Sequence, residues 1–243
     1  MFVLETLGPL AAGPEGFPRR DGAPYLPGAD LREALLTAAL TYAFERDEAF
    51  AAEMRRFAQH AFKGSAGELA AAMLEALLLR QPELEALAPA DVPLAEPERR
   101  RVLVVDTAAG RVEGGLELEL FEGRAEVPAL LQPELETWLA AAARRYRAVL
   151  SSAEAAELTR VLPESEPLYR ALEAREGEGT FWPLRAGYWT PEPEGGRFLA
   201  FARSAAADRA LERRFRTRPL PQRILYDPET RCSLGWVNLR KEG

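Results

Sequence analysis

The stretches Val102-Leu-Val-Val-Asp106 and Leu116-Glu-Leu-Glu-Leu120 decide the fold class. The first is a continuous apolar run suited to a buried strand. The second alternates with period two, the mark of a sheet with one wet face. Residues 124–127 are placed to pair with that second strand through the Glu122-Gly123 turn. Upstream, Phe2 to Leu7 reads as a strand, followed by a Gly/Pro-rich loop from Gly8 to Gly22 that carries Arg19 and Arg20. Between these strand regions the periodicity changes to that of helices. Leu31, Ala34, Leu35, Ala38, Ala39 and Tyr42 share one face; Phe50, Met54, Phe57, Ala58 and Ala61 share another. Leu69, Met73, Ala76 and Leu77 line a third helix. Asp30 with Glu33, and Ser65 with Glu68, have the spacing of capping boxes.

Prolines at 82, 89, 93 and 97 stop regular structure over residues 81–100, which read as a linker. Past the β region, Pro133 opens a helix carrying Leu135, Trp138, Leu139, Ala142, Tyr146 and Val149. Ser151 and Glu154 offer a capping box for a separate helix ending near Leu162, and residues 166–175 add another. The loop 177–196 is rich in glycine and aromatics, residues 204–216 form an Arg-rich helix, and the chain closes with a hairpin. In that hairpin Arg223–Tyr226 and Cys232–Leu239 flank an Asp227-Pro228-Glu229-Thr230 turn. Strands in small groups separated by helices predict an α+β protein with two sheet-bearing lobes.

The 243 residues are 47% hydrophobic and 28% charged, enough to bury a core without wholesale disorder. No apolar run approaches the roughly 20 residues of a bilayer span, and the N-terminus lacks the pattern of a signal peptide. A single cysteine, Cys232, excludes internal disulfides and fits the cytoplasm. Only Lys63 and Lys241 are lysines, so 29 of 31 basic residues are arginine; abundant Glu and Arg give a thermophilic composition, which GC-rich codon usage also produces. The net charge of −7 argues against a free-standing nucleic-acid binder but leaves room for a local basic groove.

Catalytic motifs are missing: there is no phosphate-binding G-x-x-x-x-G-K-[ST], no G-x-S-x-G and no G-x-G-x-x-G. One histidine, His60, and one cysteine exclude most zinc sites and any nucleophile–histidine arrangement that does not use His60. No metal or cofactor is expected. Asp106 reads as a turn-forming residue or as a strand-end carboxylate. The uneven feature is basic: Arg197 to Arg223 holds eight arginines against Asp208 and Glu212. Arg185, Tyr188 and Trp189 lie just upstream among glycines. Guanidinium forks and flat rings are the materials of single-stranded RNA contact. They equally describe a solvated basic helix beside an aromatic core, or an arginine face docked on an acidic partner.

Two segments carry a more specific signal. Tyr25-Leu-Pro-Gly-Ala-Asp-Leu-Arg-Glu-Ala-Leu35 resembles the Y-I-P-G-S-S-L-K-G-A-L element of the RAMP superfamily, the RRM-like proteins of CRISPR systems. Leu234-Gly-Trp-Val-Asn-Leu239 looks like the L-G-W-V-K-L ending of the type III-A (Csm) subunit that caps the guide-RNA 3′ end, and Val102–Asp106 resembles that family's strand ending in Asp-Ser. The family's lysine is Arg32 here, its histidine after the first strand is gone, and its glycine-rich loop survives loosely as Arg185-Ala-Gly-Tyr-Trp189.

The resemblance implies two ferredoxin-like modules, residues 1–128 with a helical insertion over about 30–80, and residues 129–243. It implies a non-catalytic subunit of a type III CRISPR effector that contacts crRNA near its 3′ part beside the RAMP backbone subunit and a small helical subunit. The expected RNA-facing residues are Arg19, Arg20, Arg32, Arg185, Tyr188, Trp189, Arg213, Arg214, Arg216, Arg218 and Arg223. The alternatives are a metal-independent endoribonuclease acting on CRISPR RNA through His60, and a protein-interaction module without RNA.

Overall fold

The computed structural model describes residues 1–64, 66–128, 133–191 and 222–242. The first strand β1 (Phe2–Thr6) leads through a loop to β2 (Arg19–Arg20) and β3 (Ala23–Leu26), then to α1 (Gly28–Arg46), α2 (Glu48–Arg56) and α3 (Ala66–Arg80). Two short strands and a long hairpin follow: β4 (Val92–Pro93), β5 (Glu98–Asp106), β6 (Arg111–Leu120) and β7 (Arg124–Val127). Next come α4 (Pro133–Val161), α5 (Glu166–Ala174) and β8 (Pro183–Arg185). The chain closes with β9 (Arg223–Asp227), β10 (Cys232–Ser233) and β11 (Trp236–Lys241).

These strands make two four-stranded antiparallel sheets, β7-β1-β11-β8 and β10-β9-β5-β6, with a small third sheet β2-β3-β4. This is the expected α+β architecture with paired ferredoxin-like sheets. Each large sheet draws strands from both sides of residue 128. The C-terminal strands are the reason: β9 pairs with β5, and β11, which begins nine residues after β9 ends, runs between β1 and β8. The predicted closing hairpin is therefore short. Cys232 and Ser233 pair back on β9, the Leu234 N–H donates to Leu225 O of β9 at 3.0 Å, and from Trp236 the arm crosses to the other sheet. Likewise 124–127 pairs with β1 and not with β6.

The first sheet is covered by α1 and α4, which pack on each other and both touch β8. Leu31, Leu35, Ala38 and Ala39 of α1 and Leu139, Ala142, Ala143 and Tyr146 of α4 are all buried, as the helical spacing predicts. Three expected local features fall differently. Helix α1 starts at Gly28, so Asp30 lies in the first turn and caps nothing; the capping aspartate is Asp47, which accepts the Phe50 N–H of α2 at 2.8 Å. The Ser65 box lies outside the described residues. Helix α4 runs unbroken through Ser151 and Glu154, and both are buried. A capping box read from letters assumes an exposed helix end; here Glu154 is held by tertiary partners instead.

The proline-rich stretch 81–100 is part of the fold. Tyr25 and Leu26 pair with Pro93 and Val92, the Leu94 N–H donates to Pro24 O at 3.0 Å, and β5 already begins at Glu98. Its closest approach explains Gly28: a Cβ there would sit 2.0 Å from the Pro89 carbonyl oxygen. Asp91 accepts the Gly28 N–H at 3.0 Å and clamps the same junction.

Candidate nucleic-acid interface

Strand β5 places arginine on both faces of the second sheet. Alternation sends Arg100 one way and Arg99 and Arg101 the other. Arg100 is spent internally on Asp227 at 2.9 Å, Glu122 at 2.5 Å and Glu98 at 3.3 Å. Arg99 and Arg101 are exposed, and among the described residues no carboxylate bonds either guanidinium. Arg99 sits opposite Glu119 and Arg101 opposite Glu117. Arg101 lies across Gly115, where a Cβ would meet its Nε at 2.8 Å; the glycine gives that side chain its seat.

Strand β2 and the loop before it extend this surface. Arg19 bonds Glu96 at 2.7 Å and Glu119 at 3.4 Å, while Glu119 also accepts the Phe17 N–H at 3.0 Å. Arg20 bonds Asp91 at 2.7 Å and lies 5.2 Å above the Tyr25 ring. Arg19, Arg20, Arg99 and Arg101 thus form one patch, interleaved with Asp91, Glu96, Glu117 and Glu119. The carboxylates match the arginines in number, and the ion pairs that Arg19 and Arg20 make at this surface hold only about 0–1 kcal/mol each. Arg32 stands apart on α1, half-buried, with Nε donating to Leu87 O at 2.7 Å.

The aromatic loop is interior. The Arg185 side chain has no exposed surface, and its Nη1 donates to both Glu154 carboxylate oxygens at 2.8 Å. Its guanidinium is sandwiched between Trp189 at 4.5 Å and Trp236 at 4.8 Å. Glu154 further accepts from Tyr169 Oη at 2.6 Å, Trp236 Nε1 at 3.3 Å and the Ser233 hydroxyl. Burial and the neighbouring Glu154 charge push the Tyr169 phenol well above its usual pKa. Trp189 is buried, and Tyr188 is half-buried with its N–H donating to Ala11 O at 2.7 Å. Gly187, at φ +67°, lets that chain pass within 2.2 Å of where a Cβ would meet Ala11 O.

Arg185 and Trp189 are therefore corrected from surface contacts to core. They lock β8 and β11 of one sheet and the β9–β10 corner of the other onto α4. Arg223 is half-exposed and bonds Glu113 at 2.6 Å, some distance along β6 from the Arg19–Arg101 patch. Arg213, Arg214, Arg216 and Arg218 lie outside the described residues.

Sequence reasoning missed Arg99 and Arg101 because the linker was drawn to residue 100 and the strand begun at 102. The run Glu98-Arg-Arg-Arg101 opposite Glu117-x-Glu119 was the available signal. Asp106 is a turn residue: Oδ1 accepts the Ala109 N–H at 2.7 Å and Oδ2 accepts Gln222 Nε2 at 3.0 Å. The Ala109 N–H holds its carboxyl below the usual range. His60 is exposed in a π-helical segment, Phe57–Ala61. Among the described residues no group of three or more His, Cys, Asp or Glu is placed to hold a metal, and no helix is long and apolar enough to cross a membrane.

No family model matches the chain. An uncharacterized protein of Aquifex aeolicus (strain VF5) is 24% identical over 245 residues, spanning 98% of this chain and 99% of that one. Among solved structures, a chain of the cryo-EM Csm–crRNA–target RNA ternary complex of a type III-A CRISPR-Cas system superposes with a TM-score of 0.61. It is 16% identical, and the match covers 92% of this chain and 74% of that one. T. onnurineus Csm5 superposes with a TM-score of 0.56 at 16% identity, over 92% of this chain and 73% of its own.

Proposed function

We propose that this protein is a crRNA-binding assembly subunit of a type III CRISPR effector, holding the guide near its 3′ part and cutting nothing itself. The observation that carries this reading is the shared fold: 92% of the chain superposes on a subunit of a Csm–crRNA–target RNA complex. The terminal Leu234-Gly-Trp-Val-Asn-Leu239 segment supports it, because Trp236–Leu239 belong to β11, one of the two inner strands of the first sheet. The exposed Arg99 and Arg101 supply guanidinium forks free to meet phosphate, a readout tolerant of sequence. Its partners on this reading are crRNA, the RAMP backbone subunit and the small helical subunit.

Purified full-length chain, alone and in the reconstituted effector, tests the reading by filter binding to guide RNA and by denaturing gels of the same RNA. The expected outcome is salt-dependent binding with intact RNA, weakened by Arg99→Glu/Arg101→Glu. RNA cleavage that disappears in His60→Ala overturns the non-catalytic role. Assembly into the effector without any RNA contact overturns the RNA role.

A further inference from the structure

A second surface, on the helical side of the molecule, carries charge that the fold does not use. Two open grooves of about 580 and 490 Å³ run along α4. They meet at Arg144 and Glu176, which line both. The first is bounded by Tyr42, Glu45 and Arg46 of α1; the second by the loop Gly177–Thr180 and by Lys241 of β11. The α4 residues along the floor run from Glu136 to Ala148, about 18 Å at 1.5 Å per residue.

Every carboxylate in these grooves is already taken. Glu45 is held bidentately by Arg145, Glu176 by the buried Arg147 at 3.1 Å, Glu136 by Lys241 at 2.7 Å and Glu178 by Arg175 at 3.0 Å. Arg46 and Arg144 have no acidic partner among the described residues; Arg46 lies over the Tyr42 ring at 5.4 Å. The lining itself balances four cations against four carboxylates; with Glu176 and Glu178 neutralised from behind by Arg147 and Arg175, the guanidinium groups of Arg46 and Arg144 are left in excess. At its rim, nothing among the described residues lies within 4 Å of where a Cβ would stand on Gly177 or Gly179, which leaves the backbone there open to a ligand.

Building on the RNA-binding reading above, we infer that this α1–α4 groove is a second RNA site, taking the sugar-phosphate chain of a single strand. Arg46 and Arg144 contact phosphates, and the Gly177–Thr180 rim fits a backbone passing closely. The floor of about 18 Å accommodates roughly five stacked nucleotides at 3.4 Å each. The readout is of phosphate, so the site is indifferent to base sequence.

The test is filter binding of a labelled 20-nucleotide oligouridylate to the full-length chain across a salt series. Arg46→Glu/Arg144→Glu is expected to weaken binding at least tenfold and to lower the slope of log affinity against log salt by about 1.4, the value for two lost single-strand phosphate contacts. Gly179→Asp, a change into open space, is expected to weaken binding in the same direction without disturbing the far-ultraviolet dichroism. Wild-type binding that both variants match would overturn the groove and leave the RNA-binding reading standing. Variants that keep RNA affinity but no longer assemble with other effector subunits would make it a protein-docking groove and overturn the inference. A wild-type chain that binds no RNA, alone or assembled, removes the reading on which the site rests.

Discussion

Replacing Glu154 by glutamine keeps the size of the side chain and removes its charge, leaving Arg185 fully enclosed without a counter-ion. The two groups have no exposed side-chain surface, and their two bonds of 2.8 Å are joined by Tyr169, Ser233 and Trp236. Breaking one member of such a buried pair costs about 3–5 kcal/mol, because the remaining charge has lost both water and partner. For a chain of this size each kcal/mol moves Tm by roughly 2–4 °C, so a fall of about 6–20 °C follows. Differential scanning calorimetry of wild type, Glu154→Gln, Arg185→Met and the double variant Glu154→Leu/Arg185→Met forms the assay. Both single variants are expected to fall in that range. The double variant is expected to recover part of the loss, since two apolar side chains bury no unpaired charge, while Tyr169, Ser233 and Trp236 still lose their shared acceptor. Below its transition, Arg185→Met is expected to bind RNA as the wild type does. Single variants within about 2 °C of wild type, with RNA affinity lost in Arg185→Met, would refute the assignment of this pair to the core.

Other consequences concern single positions. Burial, aided by Glu33, raises the Asp30 carboxyl to about 6. The folded chain then holds its proton more tightly than the unfolded one, so this residue's contribution to stability falls as pH rises from about 4 to 6; Asp30→Asn is expected to flatten that slope in denaturant titrations and to be more stable than wild type at pH 7. Gly28→Ala drives a Cβ against the Pro89 carbonyl, and overpacking of that kind costs about 1–3 kcal/mol, read as a lower urea midpoint. Burial pushes the Cys232 thiol up to about 11 from its ordinary 9.0, so iodoacetamide at pH 8 is expected to label the native chain about 100-fold more slowly than the unfolded one.

The elements legible in the sequence were those with strong periodicity. The α1, β5, β6 and terminal Leu-Gly-Trp-Val segments were legible as elements from their periodicity, but not their burial: α1 is buried all round over residues 34–41, residues 234–239 are buried on both faces, and Leu116 is exposed. Pairing partners were less legible, since the chain interleaves: β11 belongs to β1 and β7 to β1, contacts between residues more than 100 positions apart. Glu154 shows how a local rule misleads. Ser-x-x-Glu before an apolar run looks like a helix start, yet the carboxylate is retained to neutralise Arg185 from a different element. The same cause misdirected the reading of the aromatic loop. Arginine beside tryptophan fits an RNA platform and a buried cation–π sandwich equally, and only tertiary burial distinguishes them. Arg19 and Arg20 do lie on the surface, whereas Arg99 and Arg101 are obscured in the sequence by Pro93 and Pro97, residues that argue against strand.

The most direct test of the central claim is photocrosslinking of the reconstituted effector carrying 4-thiouridine at successive positions of the guide. The account predicts crosslinks from the 3′ part of an intact guide to peptides of this chain. Crosslinks confined to other subunits, or a guide shortened by this chain, would contradict it.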